Sequence, residues 1–415
     1  MKAGYRYRLY PTAEQGHALN RWAGCARAIW NAALEQRQIA RWMGQHCRWA
    51  GQDAELAAAK RAHTWLAEPH SDVLQQVLRD LDRAFVRFFS GQSRYPRFKN
   101  KGRRESFRIQ SRPGRGEIRV RRLNRRWGEV RVPKLGWVLF RWSRKPAGQI
   151  KHLTVTRDTL GWHVSLCCES DAQTPLKRPG PPVGLDRGVA ATVALSTGEV
   201  RTCPRLPPKQ AERLRRLERK AGRQETARRH RPPGQRGRSR RHQRTLDQLA
   251  ELRGHEARIR NDFLHKLSTE IAKSHGVVVI ERLKVASMTR SARGTRAKPG
   301  RNVGAKAGLN RSVLAQGWGE LRRQLAYKLE RTGGRLVEVP AAYTSQRCSA
   351  CGTVDAASRR GRRFACVACG HRAHADTNAA RNILAAGQAV TARGAFAGGR
   401  GDEPRTPRRE AACAV

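Results

Sequence analysis

The sequence predicts a multidomain α+β protein: an N-terminal β-barrel-like domain with a helical insertion, then an α/β domain that carries an inserted cysteine cluster. Three observations carry this reading. Hydrophobic periodicity changes from two to three-and-four and back to two before a Pro- and Gly-rich break. Beyond the break, apolar strand-like runs alternate with helical segments. Late in the chain, two CxxC pairs interrupt that alternation.

Residues 5–10, YRYRLY, alternate as a strand does and stop at Pro11. From Thr12 to about Ser90 the pattern is helical. Leu19, Trp22, Ala23, Ala26, Ile29, Trp30 and Ala33 recur at three and four, as do Val73, Leu74, Val77, Leu78, Leu81, Ala84, Phe85 and Phe88. From Ser93 to about Glu169, IRVRR, EVRVPKLGWVLFRW and HLTVTRDTLGWHVSLCCE read as strands. A helical block, 11–92, is thus expected inside a β domain made of 1–10 and 93–170. DAQTPLKRPGPP marks a linker at 171–182. After it, PVGLDRGVAATVALSTGEV reads as two strands joined by a tight turn. A long Arg-rich helical stretch, a helix over 243–274 and the buried strand VVVIERL follow. Next come a basic loop, SMTRSARGTRAKPGRNVGAKAGLNRS, a helix over 311–332, the strand RLVEVP and the cysteines. The Gly-, Ala- and Arg-rich residues 387–415 are expected to be unstructured.

Lys and Arg number 85 against 33 Asp and Glu, a net charge of +52. Folding has no use for such self-repulsion, so the excess points to a polyanionic partner. A membrane partner is not expected. No stretch approaches the roughly 20 apolar residues of a spanning helix, and MKAGYRYRLYPT lacks the apolar middle of a secretory signal. Of ten cysteines, four pair as CxxC, which fits an intracellular chain with thiolate metal ligands better than a disulfide framework. Cys25, Cys47, Cys167, Cys168, Cys203 and Cys413 read as packing residues or inert thiols.

Cys348-x2-Cys351 and Cys366-x2-Cys369 flank 14 residues, the spacing of two knuckles that close a tetrahedral thiolate zinc site. Four cysteines leave no open coordination position, so this zinc is structural. His371 and His374 read as neighbours, not ligands. Three carboxylates stand in distinctive settings. Asp186 ends the strand VGLD, Glu281 ends VVVIE, and Asp376 heads a helix in HADTNAARNIL. Singly, each passes for a turn or capping residue. Jointly, in a very basic chain, they make sense as oxygen ligands of divalent cations. The order Asp, Glu, Asp, on a first strand, a later strand and a final helix, is the layout of an RNase H-type nuclease, where two Mg²⁺ ions would serve an in-line displacement.

GLDRG, VVVIERL and TSQRCSACG…CVACGHRAHADTNAARNIL resemble the RuvC segments and zinc ribbon of the TnpB family, transposon-encoded RNA-guided nucleases similar to miniature type V CRISPR effectors. YRLYPTAEQ, GCARAIWNAAL and RYPRFKNK extend the resemblance to the N-terminus, so that it covers residues 5 to about 385. It implies a wedge domain (1–10, 93–170), a helical recognition domain (11–92), a RuvC-like nuclease domain (183–343, 373–386) and a zinc ribbon (344–372). It also implies catalytic Asp186, Glu281 and Asp376, zinc ligands Cys348, Cys351, Cys366 and Cys369, a guide RNA, double-stranded target DNA with a short flanking motif, and a bacterial cytoplasmic setting. Arg187 and Ala375 depart from the family pattern without removing a ligand; Arg187 either tunes the site or points to solvent.

Lys209–Arg244 holds 15 Lys and Arg against three Glu, and like charges such as Arg215 and Arg219 at i,i+4 are unfavourable without an anion opposite. A helical hairpin laid along phosphates is expected there. The resemblance also implies that the loop after VVVIERL acts as a lid that orders on substrate. Tyr5, Tyr7, Trp22, Trp30 and Tyr95 are read as core before base-stacking platforms. Three other readings compete: a guided DNA binder that does not cut, a conventional transposase, and a ribosomal or RNA-chaperone protein, which would explain the charge and zinc but not three strand-end acids.

Overall fold

The computed structural model describes residues 2–102, 105–112, 117–170 and 180–397, with side chains through residue 390. The chain divides into two units, Met1–Gln173 and Thr174–Val415. The expected linker lies mostly outside the described residues, as do Cys413 and the tail beyond 397.

In the first unit the alternating YRYRLY lies in β1 (Lys2–Tyr10), which buries Tyr5, Tyr7 and Leu9. Thr12 and Gln15 form a capping box that opens α1 (Ala13–Trp42). Then come α2 (Trp49–Ala62), α3 (Thr64–Ala67) and α4 (Ser71–Phe89). The strands that follow are β2 (Glu105–Gln110), β3 (Val120–Arg122), β4 (Trp127–Val132), β5 (Gly136–Arg141), β6 (Gln149–Asp158) and β7 (Gly161–Glu169). All seven strands form one antiparallel sheet in the order β2-β6-β7-β1-β5-β4-β3, with the helices inserted after its middle strand. The order is open: among the described residues no ladder joins β2 to β3, so barrel-like closure is not seen. Strand β2 was not anticipated, although its Phe107 and Ile109 alternate into the core. Tyr5, Tyr7 and Trp22 are core residues. Trp30 donates to the Arg97 carbonyl at 2.9 Å, and Tyr95 meets Phe85 and Phe88 edge-on. These aromatics pack within the unit.

The second unit begins with β8 (Val183–Asp186), β9 (Val193–Leu195) and β10 (Val200–Arg201), three strands where the sequence suggested two. The hairpin helices α5 (Pro208–Arg229) and α6 (Arg240–Ser274) precede β11 (Val277–Glu281). Next are α7 (Val285–Met288), α8 (Val303–Gln316), α9 (Trp318–Arg331) and β12 (Arg335–Val339). Short strands β13 (Arg359–Arg360), β14 (Arg363–Ala365) and β15 (Arg372–His374) lead into α10 (Ala375–Ala397). The expected basic loop thus contains a helix, α8, and the expected 311–332 helix is broken at Gly317, whose φ of 69° is left-handed. The tail reading is corrected too. Helix α10 continues past 386, and Gly387 packs against Val279, where a Cβ would come within 2.5 Å of a Val279 methyl.

The five-stranded sheet runs β10-β9-β8-β11-β12, with β8, β11 and β12 parallel. Strand parity decides what each face meets. Val183, Leu185, Val278 and Ile280 pack with Leu264, Leu267, Leu321, Leu325 and Leu329 of α6 and α9. Their alternates face α10: Val279 packs with Ile383 and Leu384, and Gly184 lies under the α10 backbone. A Cβ on Gly184 would overlap the Ala380 carbonyl oxygen and stand 2.8 Å from the Leu384 nitrogen, both backbone atoms that cannot turn aside. Gly184→Ala is therefore expected to cost about 1–3 kcal/mol, the range for overpacking a dense core, read as a lowered denaturant midpoint. An unchanged midpoint would mean that α10 is not seated on β8. Among the described residues no helix is long and apolar enough to cross a membrane.

Candidate active site and cysteine centre

Parity carries directly into chemistry. Asp186 and Glu281 follow Leu185 and Ile280, which are register partners on neighbouring parallel strands, so both acids end their strands on the α10 side. Asp376 lies in the first turn of α10, where a carboxylate is favoured by the helix dipole. Burial first, then the charges of Glu281 and Asp376, push Asp186 up to about 7. Burial also raises Glu281, while a hydrogen bond from the Thr344 hydroxyl to its Oε1 pulls the other way. Asp376 accepts from Arg359 at 2.9 Å.

Three neighbours were not assigned from sequence. Arg187 does not point to solvent; it is 6% exposed and donates to the Glu281 backbone carbonyl, fixing the end of β11 from below. Thr344 holds the Glu281 carboxylate. Arg359 brings a guanidinium whose charge reaches all three acids. Thr344 belongs to the TSQRC motif, which gave a signal without a role, whereas Arg359 is hidden among the arginines of RRGRR.

The four cysteines form the one group, among the described residues, of three or more Cys, His, Asp or Glu side chains set to hold a metal ion. Their sulfurs lie within 4.8 Å of one another, with Cys348–Cys369 at 3.8 Å and Cys351–Cys366 at 3.6 Å. A tetrahedral site with metal–sulfur bonds of about 2.3 Å has edges of about 3.8 Å, so the spacing fits. Cys351 Sγ lies 3.4 Å from the Thr353 hydroxyl oxygen. His371 and His374 stay outside the group.

The DTNAARN segment joins the two sites. Asn378 accepts from Ser349 N–H at 2.9 Å and donates to the Arg347 carbonyl at 2.7 Å. Asn382 donates to the carbonyls of Thr344 and Arg347 at 3.0 and 2.6 Å. Ala379 and Ala380, between them, are buried on the β8 side. About two helical turns therefore present Asp376, clamp the turns that lead into the cysteines and seat on the sheet.

The crowding of acids has a measurable pH signature. Asp186 holds its proton more tightly folded than unfolded, so its stabilisation is complete below the ordinary carboxylate range and is lost as pH rises through 7. Without added divalent cation, this group should take away about 2 kcal/mol of stability as pH rises from about 5.5 to about 8. Asp186→Asn should flatten that part of the profile. Denaturant titrations across the range test this, and parallel profiles for both proteins would rule it out.

Three family models match the chain: "Helix-turn-helix domain" of the OrfB/IS605 type over residues 1–49, "Probable transposase" of the same type over 165–292, and "Cas12f1-like, TNB domain" over 318–383. The "Putative RNA-guided DNA endonuclease InsQ" of Escherichia coli (strain K12) is 39% identical over 394 residues, 94% of this chain and 93% of that protein. The chain belongs to the TnpB family. A second relative of this TnpB-family chain, a "Putative RNA-guided DNA endonuclease" of Streptomyces pristinaespiralis, is 35% identical over 95% of the chain and 91% of its own length. Among solved structures, a Cas12f1 effector in its "sgRNA-target DNA complex" matches with a TM-score of 0.54 at 15% identity, over 90% of this chain and 83% of that one. At that identity the likeness speaks for the fold alone, a mixed α/β multidomain architecture.

Proposed function

We propose that the chain is an RNA-guided DNA endonuclease. It binds a guide RNA, engages complementary double-stranded DNA beside a short flanking motif, and hydrolyses phosphodiester bonds at a RuvC-like site formed by Asp186, Glu281 and Asp376. The observation that carries this is the placement of three carboxylates at the ends of the paired strands β8 and β11 and in the first turn of α10, where the charges of Glu281 and Asp376 reach Asp186. Two buried acids, Glu281 and Asp376, beside the half-buried Asp186 are carboxylates that divalent cations would offset. Membership of a family whose relatives are named RNA-guided DNA endonucleases points the same way.

The five-stranded sheet with α10 against it supports an RNase H-type nuclease domain over 183–343 and 373–386. Residues 344–372 are its zinc ribbon, residues 1–10 and 93–170 the wedge domain, and 11–92 the recognition helices. Four thiols at tetrahedral spacing fit one Zn²⁺. The three acids supply the hard oxygen donors Mg²⁺ prefers, but among the described residues they do not meet the 4.8 Å grouping that the cysteines meet. Two magnesium ions held by the three acids would supply Lewis acidity to the phosphodiester and its attacking water. The chain's own residues set the stage. Thr344 orients Glu281, Arg187 anchors the β11 terminus, and Arg359 holds Asp376 until a ligand takes its place.

A conventional transposase of the same fold would not be expected to carry a cysteine cluster between the second and third acids, where Cys348–Cys369 lie here, and a guided binder without cleavage would lack part of the acid set. The test is to sequence the RNA that copurifies with the protein and to offer plasmid DNA matching it with Mg²⁺. Cleavage confined to the matched plasmid is expected. Cutting that ignores the RNA, or none with intact acids, would refute the reading.

A further inference from the structure

The hairpin of α5 and α6 holds a groove that the active site does not use. The two helices pack through Leu214, Leu217, Leu249 and Leu252. Toward the tip they open into two adjoining clefts of about 350 and 550 Å³. Lys220 and Arg241 line both clefts, with Arg223 and Arg231 in the first and Arg240 and Arg244 in the second. None of these six has a carboxylate partner among the described residues; the hairpin's ion pairs join Glu225 to Arg228 and Arg229, and Glu218 to Arg253.

The groove is built, not only charged. Arg228 donates to the Arg236 carbonyl at 2.7 Å and Arg236 to that of Arg231 at 3.0 Å, which fixes the tip. Helix α6 starts there. Ser239 takes the His242 and Gln243 N–H groups, leaving those of Arg240 and Arg241 without acceptors among the described residues. His242 is 4% exposed and lines the first cleft, yet its ring has no hydrogen bond to the protein among the described residues. Beside it, the Gln224 Oε1 is buried without a donor. A buried polar atom left unpaired is costly, so the Gln224 oxygen calls for a donor in the cleft, and the His242 ring lining it is free to meet a ligand.

Six unpaired cations, two helix-terminal N–H groups and a buried imidazole describe an anion site, and two clefts sharing Lys220 and Arg241 suit successive phosphates. The Gln224 oxygen adds what a phosphate cannot satisfy, because it accepts only from a donor. In nucleic acid the donor beside each phosphate is the ribose 2′-hydroxyl, present in RNA and absent from DNA. We propose that the tip of the α5–α6 hairpin is a backbone-binding groove for RNA that seats successive phosphates on Lys220, Arg241 and His242 and reads the 2′-hydroxyl through Gln224. That the RNA is a guide rests on the proposed function.

The test uses the full chain and three single-stranded probes of one sequence, about 20 nucleotides long: RNA, 2′-O-methyl RNA and DNA. The double variant Arg241→Gln/His242→Ala should bind RNA about 10-fold more weakly, with the slope of log affinity against log salt smaller by about 1. Exposed Arg223→Gln, which touches no core, should show the same fall in slope and guards against misfolding of the double variant. Gln224→Leu should weaken RNA binding severalfold and leave the other two probes unchanged. Wild-type affinity and slope in both cation variants would overturn the groove, and equal losses on all three probes for Gln224→Leu would overturn the 2′-hydroxyl reading. If the unaltered chain copurifies with RNA and cuts matched DNA while the hairpin variants behave like it, only this inference falls. If it does neither, the functional reading falls first.

Discussion

Asp186→Ala is expected to abolish guided cleavage, by about 10³-fold or more, while RNA retention and target binding stay near normal. A thousandfold corresponds to about 4 kcal/mol of lost transition-state stabilisation, a reasonable loss if Asp186 is a catalytic metal ligand as proposed. The separation of effects follows from placement. Asp186 ends a strand whose other residues, Val183, Gly184 and Leu185, form the core, so its side chain leaves the packing without disturbing it. The substitution also removes one of three crowded acids, so the metal-free variant should be no less stable than the parent at neutral pH. Plasmid cleavage paired with a gel-shift assay on the same preparations measures both. Parallel loss of binding and cutting would take Asp186 out of the ligand role.

Cys366→Ser should have the largest effect on folding. Structural zinc sites contribute about 10–16 kcal/mol of apparent binding energy to the folds they close, and Cys366 is a buried member of the four-sulfur group. Residues 344–372 would lose their framework, and the damage would reach the acids. Thr344, which holds Glu281, and Arg359, which holds Asp376, both belong to that segment. The expected result is poor solubility, protease sensitivity confined to the segment, and loss of cleavage. Limited proteolysis and metal content by mass spectrometry would show it. A fully stable, zinc-loaded but inactive variant would move this cysteine from staple to participant in the chemistry.

The acids and the cysteines were legible because their signals are local: a carboxylate closing an apolar run, and thiols at knuckle spacing. Their supporting residues were not, because a partner such as Arg359 is defined by a contact with Asp376 across the ribbon and not by its neighbours in sequence. Helix α8 escaped for a different reason. It contains two glycines, buries only Val313, and is tied down by Lys306 and Asn310 donating to carbonyls of Met288, Thr289 and Arg290, so no apolar stripe announces it. The extension of α10 likewise depends on Gly387 meeting Val279, a fit of two small surfaces that composition cannot show. Strand β2 could have been found, since Phe107 and Ile109 alternate plainly.

The in-phase ends of β8 and β11 restrict how this chain can vary. Inserting or deleting one residue inside either strand would swing its terminal acid through half a turn, into the leucines of α6 and α9, whereas a change of two would return it to its side. The pair therefore works like a vernier with a step of two, and loop lengths elsewhere can drift without touching it. A library of single- and double-residue insertions ahead of Leu185 would separate odd from even by cleavage alone.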